Sequence, residues 1–237
     1  MIEGYTLEEL ERRLGYRFKE RSLLKRALTH SSFMNEQKIN KNGDYERLEF
    51  LGDAVLELVT SEFLFKEHPE VPEGELTKMR ASIVCEPSLA FCARDLELGQ
   101  FLFLGKGEES TGGRQRDSIT SDVMEAVAGA IYLDGGMEAA RDYINRFILS
   151  DLEDKQLFYD SKSNLQELIQ GKLKKDFHYE LLEESGPEHD KTFVSEVVME
   201  GESLGRGSGR TKKAAEQQAA YRALLLLRDR GYVFKKH

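Results

Sequence analysis

Apolar residues recur at helical spacing from the start of the chain. Thr6 with Glu9 makes a capping-box pattern, Leu7, Leu10 and Leu14 follow on one face, and Gly15 supplies a stop. A second short helix is predicted around Glu20 to Thr29, leading into ALTHSS. A long one runs from about Tyr45 to Glu67 and ends before Pro69, because the residue before a proline is pushed out of helical geometry. Leu76, Met79 and Ile83 mark another helix that stops near Pro87, and Ser88 to Leu98 reads as the next. Residues 105–118, GKGEESTGGRQRDS, read as a loop. The helical pattern returns from Ile119 to Leu133, is closed by Gly135 and Gly136, and resumes from Met137 to Leu149. Residues 1–150 therefore read as an all-α domain.

Past a polar connector at 151–160 the texture changes. SNLQELIQGKLKK is an amphipathic helix, FHYELLEE and FVSEVVMEG alternate as strands do, and EGESLGRG suggests a hairpin turn into a third strand. A closing helix from about Thr211 to Asp229 carries Ala214, Ala215, Ala219, Ala220 and Ala223, small enough to let it lie close on a sheet. Residues 161–230 thus read as a small α+β domain of order α-β-β-β-α, and no long-period repeat is present.

Composition narrows the function classes. No run approaches the ~18 apolar residues of a membrane helix and MIEGYTLEEL has no basic-then-apolar leader, so a cytoplasmic protein without a membrane partner is expected. Cys85 and Cys92 sit in an apolar helical region where packing is the expected role. The five histidines are scattered, none at zinc-ligand spacing with a cysteine. The net charge of -9 argues against a nucleic-acid binder, but its distribution is uneven. Residues 161–237 hold 14 Lys and Arg against 12 Asp and Glu, whereas the rest of the chain holds 20 against 31, which points to two domains with different work.

The candidate chemistry lies in YERLEFLGDAVLELV, residues 45–59. Glu46, Glu49 and Asp53 fall within about 60° of one another around a helix whose other positions are mostly apolar, so this helix is expected to be buried on more than one side. Such a strip either faces water or gathers around a cation. A second group, Asp122 and Glu125 in SDVMEAVAGAIYLDGG, shares a face of another apolar helix. Two apolar helices each presenting grouped acids favour the cation: hard divalent ions take carboxylate oxygens and keep waters for the substrate. A pair of them about 4 Å apart can serve both the attacking and the leaving oxygen of a phosphodiester. Gly52 and Ala54 beside the acids would leave room for a bulky substrate. GKGEESTGG lacks phosphate-loop spacing and follows no strand, so no nucleotide cofactor is expected. His30 reads as a packed or hydrogen-bonded histidine.

These blocks resemble the ribonuclease III family. ERLEFLGDAVL at 46–56 is similar to its signature and DVMEAVAG at 122–129 to its second acidic motif; ALTHSS, LGKGEESTGG and the C-terminal segment extend the likeness over essentially the whole chain. The resemblance implies that Glu49, Asp53, Asp122 and Glu125 are metal ligands, with Asp53 and Glu125 central to catalysis and Glu46 supporting near a dimer interface. It implies Mg²⁺, with Mn²⁺ as a possible substitute, and a homodimer that cuts double-stranded RNA to 5'-phosphate and 3'-hydroxyl ends in the processing and decay of ribosomal and messenger RNA. The chain departs from the family pattern in DSITSD, where Thr120 and Ser121 replace more apolar residues.

Residues 161–230 resemble the double-stranded RNA-binding domain. Ser163, Gln166 and Gln170 match positions that face a minor groove, His189 falls in the loop between the first two strands, and Lys212 and Lys213 open the last helix, where backbone N–H groups also favour phosphate. Taken singly, Lys212 and Lys213 would read as a solvated helix start, His189 as a loop histidine and Gln166 as a surface residue. The rival reading is a duplex RNA binder that has lost catalysis; the presence of all four carboxylates is the feature that discriminates against it.

Overall fold

The computed structural model describes residues 4–37, 43–150, 157, 161–186, 191–209 and 211–232. The chain divides into two compact units, residues 1–152 and 153–237. The first is helical. It contains α1 (Leu7–Leu14), α2 (Arg21–Ala27), α3 (Ser31–Gln37), α4 (Glu46–Glu67), α5 (Glu73–Val84), α6 (Glu86–Asp95), α7 (Leu98–Phe101), α8 (Lys106–Ser110) and α9 (Asp117–Phe147). Half of the predicted capping box forms: Thr6 Oγ1 accepts from the Glu9 amide at 3.2 Å, while the Glu9 carboxylate turns instead to Arg12 and Arg13. Gly15 ends α1 at φ +64°, a left-handed conformation that costs glycine little. Gly136, at φ +80°, breaks α9 where the pair of glycines predicted a stop.

Four short elements depart from the expected pattern, one of them α7, which begins where the helix predicted over Ser88 to Leu98 ends. Helix α3 follows directly on Thr29–His30, and the segment read as a loop at 105–118 holds α8, a 3₁₀ turn at Gly113–Gln115 and the start of α9. Arg114 orders this region: Nη1 donates to the carbonyls of Gly99 and Leu102 at 2.9 and 2.8 Å, and Nε donates to Glu109 Oε1 at 2.6 Å. Such side-chain-to-carbonyl bonds carry no periodic signal. Around α9 the core closes with Leu24, Leu56, Leu89, Phe101, Met124 and Ile131, all essentially free of solvent. Cys92 is packed in this core.

The second unit is an antiparallel sheet in the order β1 (Phe177–Ser185), β2 (Thr192–Met199), β3 (Glu202–Gly209), with α10 (Ser161–Gln166) and α11 (Lys212–Asp229) packed with it. Phe177 pairs with Met199 and Phe193 with Gly209. The register of β1 shifts between Leu181 and Glu183, which absorbs the two adjacent leucines that break strand alternation; both are exposed. The small-residue contact predicted for the closing helix is present. A methyl group on Gly207 would lie 2.3 Å from the Ala219 nitrogen and one on Gly205 2.5 Å from that of Ala223. The regular first helix predicted over 163–175 is replaced by α10 widening into π-helical geometry over Glu167–Leu173, closed by Lys174 at φ +57°.

Candidate active site and nucleic-acid interface

Helices α4 and α9 touch backbone to backbone. A methyl group on Gly52 would stand 1.8 Å from the Glu125 carbonyl oxygen, and one on Gly129 would stand 2.3 Å from the Leu48 carbonyl oxygen. Only hydrogen fits at either position. The expectation that Gly52 leaves room for substrate is therefore corrected: α9 takes up the space its missing side chain opens. Glu49 and Asp53 lie within a turn of Gly52, and Asp122 and Glu125 lie on the stretch of α9 that meets it, so this crossing brings the two acid pairs together.

The electrostatics report the same proximity. Burial first, then the charges of Asp122, Glu46 and Asp53, push the Glu49 carboxyl up to about 7. Burial first, then Asp53, Glu49, Asp122 and Glu57, push Glu125 up to about 8. Asp122 is also raised by burial, against the hydrogen bond from Tyr45 and the nearby Ser121 hydroxyl and His30. Asp53 and Glu46 are exposed, whereas Glu49, Asp122 and Glu125 are half-buried. Among the described residues none of the four predicted ligands has an ion-pair partner, and no three His, Cys, Asp or Glu side chains converge as a ready coordination cluster. Like charges in a partly desolvated space hold one another apart unless a cation neutralises them.

Sequence reasoning passed over two neighbours of these acids. Tyr45 is buried and its hydroxyl donates to Asp122 Oδ2 at 3.3 Å across 77 positions, a pairing with no local signal. Burial and the adjacent carboxylates raise its hydroxyl well above the usual range. Glu57 continues the strip of Glu46, Glu49 and Asp53 one turn further, and the same spacing would have found it. It lies 3.6 Å from Arg80 of α5, whose Nη1 also donates to Ser61 Oγ at 3.0 Å. His30 is hydrogen-bonded locally, its Nδ1 2.8 Å from Ser32 Oγ and its ring 5.7 Å from that of Tyr45. Thr120 and Ser121, the departures noted in DSITSD, donate their hydroxyls to the carbonyls of Arg116 and Ser118 one turn back, which satisfies both inside the core.

The expected burial of α4 on more than one side is not met within one chain. Phe50, Leu58 and Phe65 fall on one stripe of the helix and are 80%, 55% and 73% exposed. In the second unit Ser163, Gln166 and Gln170 are all exposed, although Gln170 sits in the π-helical part, where α-helical spacing no longer applies. Lys212 and Lys213 are exposed in the first turn of α11, behind the N-cap Thr211, whose side chain accepts from the Ala214 amide at 3.1 Å. His189 lies outside the described residues. Among the described residues no helix is long and apolar enough to cross a membrane.

Comparison with known proteins agrees with both units. The ribonuclease-III-like family profile matches residues 20–152 and the double-stranded RNA binding motif matches residues 161–227. The ribonuclease 3 of Oceanobacillus iheyensis is 49% identical over 220 residues, 92% of this chain and 96% of that protein. That of Caldanaerobacter subterraneus subsp. tengcongensis is 51% identical over 221 residues, with the same two coverages of 92% and 96%. Among solved structures, the nuclease domain of ribonuclease III from Campylobacter jejuni superposes with a TM-score of 0.57 at 46% identity, covering 60% of this chain and 96% of that one. Two acid-bearing helices joined at paired glycines, followed by an α-β-β-β-α unit and matched over nine-tenths of the chain by such relatives, establish that this chain belongs to the ribonuclease III family of endoribonucleases.

Proposed function

We propose that Glu49, Asp53, Asp122 and Glu125 hold divalent cations, Mg²⁺ with Mn²⁺ as a substitute, and that with them the chain hydrolyses double-stranded RNA to 5'-phosphate and 3'-hydroxyl ends. The observation that supports this reading is the Gly52–Gly129 crossing, which brings Glu49 and Asp53 of α4 near enough to Asp122 and Glu125 of α9 for their charges to act on one another. The donor set fits a hard divalent ion: it offers carboxylate oxygens only, and none of the four carboxylates has an ion-pair partner among the described residues. Ions held there would supply an activated water and stabilise charge on the scissile phosphate. The protein's own part is to fix the donors. Tyr45 holds one oxygen of Asp122, burial keeps Glu49 and Glu125 protonated part of the time near neutrality, and ion binding would therefore release protons. Asp53 and Glu125 are the proposed catalytic pair and Glu46 a supporting acid.

The stripe of Phe50, Leu58 and Phe65 supports a homodimer, since a partner subunit would cover apolar surface that one chain leaves in water. The C-terminal unit would hold the duplex through Ser163, Gln166, Gln170, His189, Lys212 and Lys213, reading A-form shape rather than sequence. We propose domain limits of 1–150 and 161–230 with a connector at 151–160, and a cytoplasmic role in RNA processing and decay. Incubation with long duplex RNA tests the proposal: cleavage in Mg²⁺ that stops in EDTA is expected. Tight binding without cleavage in either Mg²⁺ or Mn²⁺ would instead make the chain a duplex binder alone.

A further inference from the structure

We infer that the ion pair between Lys162 and Glu216 is a positioning device for RNA binding, holding the outward edge of α10 and the first turn of α11 at one fixed spacing. The inference rests on the proposal that Ser163, Gln166, Lys212 and Lys213 contact RNA. Lys162 Nζ lies 2.5 Å from Glu216 Oε2, and both side chains are half-buried. The same ammonium sits 4.8 Å from the centre of the Tyr179 ring on β1, so α10, α11 and the sheet meet at one charge. Beside it the fully buried Ser161 donates its hydroxyl to the Gln217 carbonyl at 2.9 Å. Ser161 and Lys162 thus point inward onto α11 while Ser163, the next residue, is exposed.

Electrostatics alone do not explain the pair. A lysine beside a proposed RNA contact is engaged by an acid instead of being left for phosphate. That acid lies one turn along α11 from Lys212 and Lys213, where its charge would repel a duplex. Geometry gives both residues a purpose. The spacing between successive grooves of A-form RNA is set by the duplex, so a domain that reads shape must keep its own contacting edges at a matching distance. The Tyr179 hydroxyl is buried without a hydrogen-bond partner among the described residues. It offers no substitute anchor, and the Lys162–Glu216 pair and the Ser161 hydrogen bond carry the polar linkage between the two helices at this point.

The two accounts predict opposite signs for one substitution. Glu216→Gln removes a negative charge near the proposed phosphate contacts: charge alone predicts tighter binding, positioning predicts weaker. The experiment uses the full chain in EDTA and fluorescence anisotropy with labelled duplex RNA longer than about 16 base pairs, over a potassium chloride series. Glu216→Gln and Lys162→Met should each bind about five- to tenfold more weakly, as coupled contacts do, with the salt slope of the parent. The charge-swapped double variant, Lys162→Glu with Glu216→Lys, should recover most of the loss, which a direct phosphate contact by Lys162 would not allow. Preference for duplex RNA over duplex DNA should fall in the single variants and return in the swap. Binding by Glu216→Gln equal to or tighter than the parent overturns the inference, as does a salt slope reduced by about one in Lys162→Met. Lys212→Ala with Lys213→Ala is the separate control: if that variant binds like the parent, the underlying RNA face is wrong, whatever the ion pair does.

Discussion

Replacing Gly52 by alanine sets two effects of opposite sign against each other. Gly52 lies in the interior of α4, where alanine is favoured over glycine by about 1 kcal/mol through helix propensity. The added methyl would stand 1.8 Å from the Glu125 carbonyl oxygen and 2.6 Å from its carbon, and both are backbone atoms that no rotamer change can move. Restoring ordinary contact requires α4 and α9 to part by about 1.5 Å, and overpacking of this kind costs about 3 kcal/mol. The cost wins by about 2 kcal/mol, which lowers the melting temperature of a unit this size by about 4 to 8 °C. Function should suffer more than stability, because the same displacement separates Glu49 and Asp53 from Asp122 and Glu125. A misplacement of about 1 Å in a reacting constellation costs on the order of 100-fold in rate. Single-turnover cleavage of duplex RNA in saturating Mg²⁺, with a thermal melt on the same sample, reads both. Anisotropy on duplex RNA in EDTA should stay near the parent, since that contact is assigned to the second unit. A variant that melts higher than the parent and cuts within twofold of its rate would refute the reasoning, because propensity would then have outweighed the backbone contact.

Three further outcomes are expected. Glu125→Gln keeps side-chain volume but removes one carboxylate, so it should bind duplex RNA near normally while cutting on the order of 100-fold more slowly, with partial recovery at high Mg²⁺ or in Mn²⁺; unchanged cleavage would remove the residue from the site. Phe50→Glu puts a charge on the exposed stripe of α4 and should turn a dimer at micromolar concentration into a monomer in sedimentation velocity, whereas a monomeric parent would dispose of the dimer itself. Glu49 and Glu125 have folded values of about 7 and about 8, above the ordinary 4.5, so their contribution to stability is complete below about pH 4.5 and is lost as pH rises through 7 and 8. Calorimetry in EDTA should therefore show the helical unit melting lower at pH 8.5 than at pH 5.5, with Mg²⁺ narrowing the difference; a melting temperature that rises over this range in EDTA would contradict the assignment.

Much of the architecture was legible locally. Thr6 and Gly15 bound α1, Pro69 and the glycine pair at 135–136 punctuate the long helices, and alternation with alanine spacing yields the α-β-β-β-α order. These features depend on a residue and a few neighbours along the chain, and so periodicity reports them. The grouping of Glu46, Glu49 and Asp53, and separately of Asp122 and Glu125, is of the same kind, and one more turn of that spacing reaches Glu57.

What pattern could not supply depends on how distant surfaces pack. That Gly52 serves the contact with Glu125 and Gly129, rather than substrate access, follows only once residues more than 70 positions apart in sequence are laid together. The same holds for the Tyr45 hydroxyl on Asp122, and for Lys162 turned inward to Glu216 while its neighbour Ser163 faces water. An apolar stripe on α4 is visible in the sequence, but that the core leaves Phe50 and Phe65 uncovered is decided by where the other helices stop. By itself the sequence determined which acids share a helix face and which face of its own element each candidate residue occupies, because those are short-range consequences of backbone geometry. Which carboxylates meet, which glycine lets them meet and which lysine is withdrawn from solvent were decided by the tertiary structure, since close packing satisfies many long-range contacts at once and no single segment encodes the result.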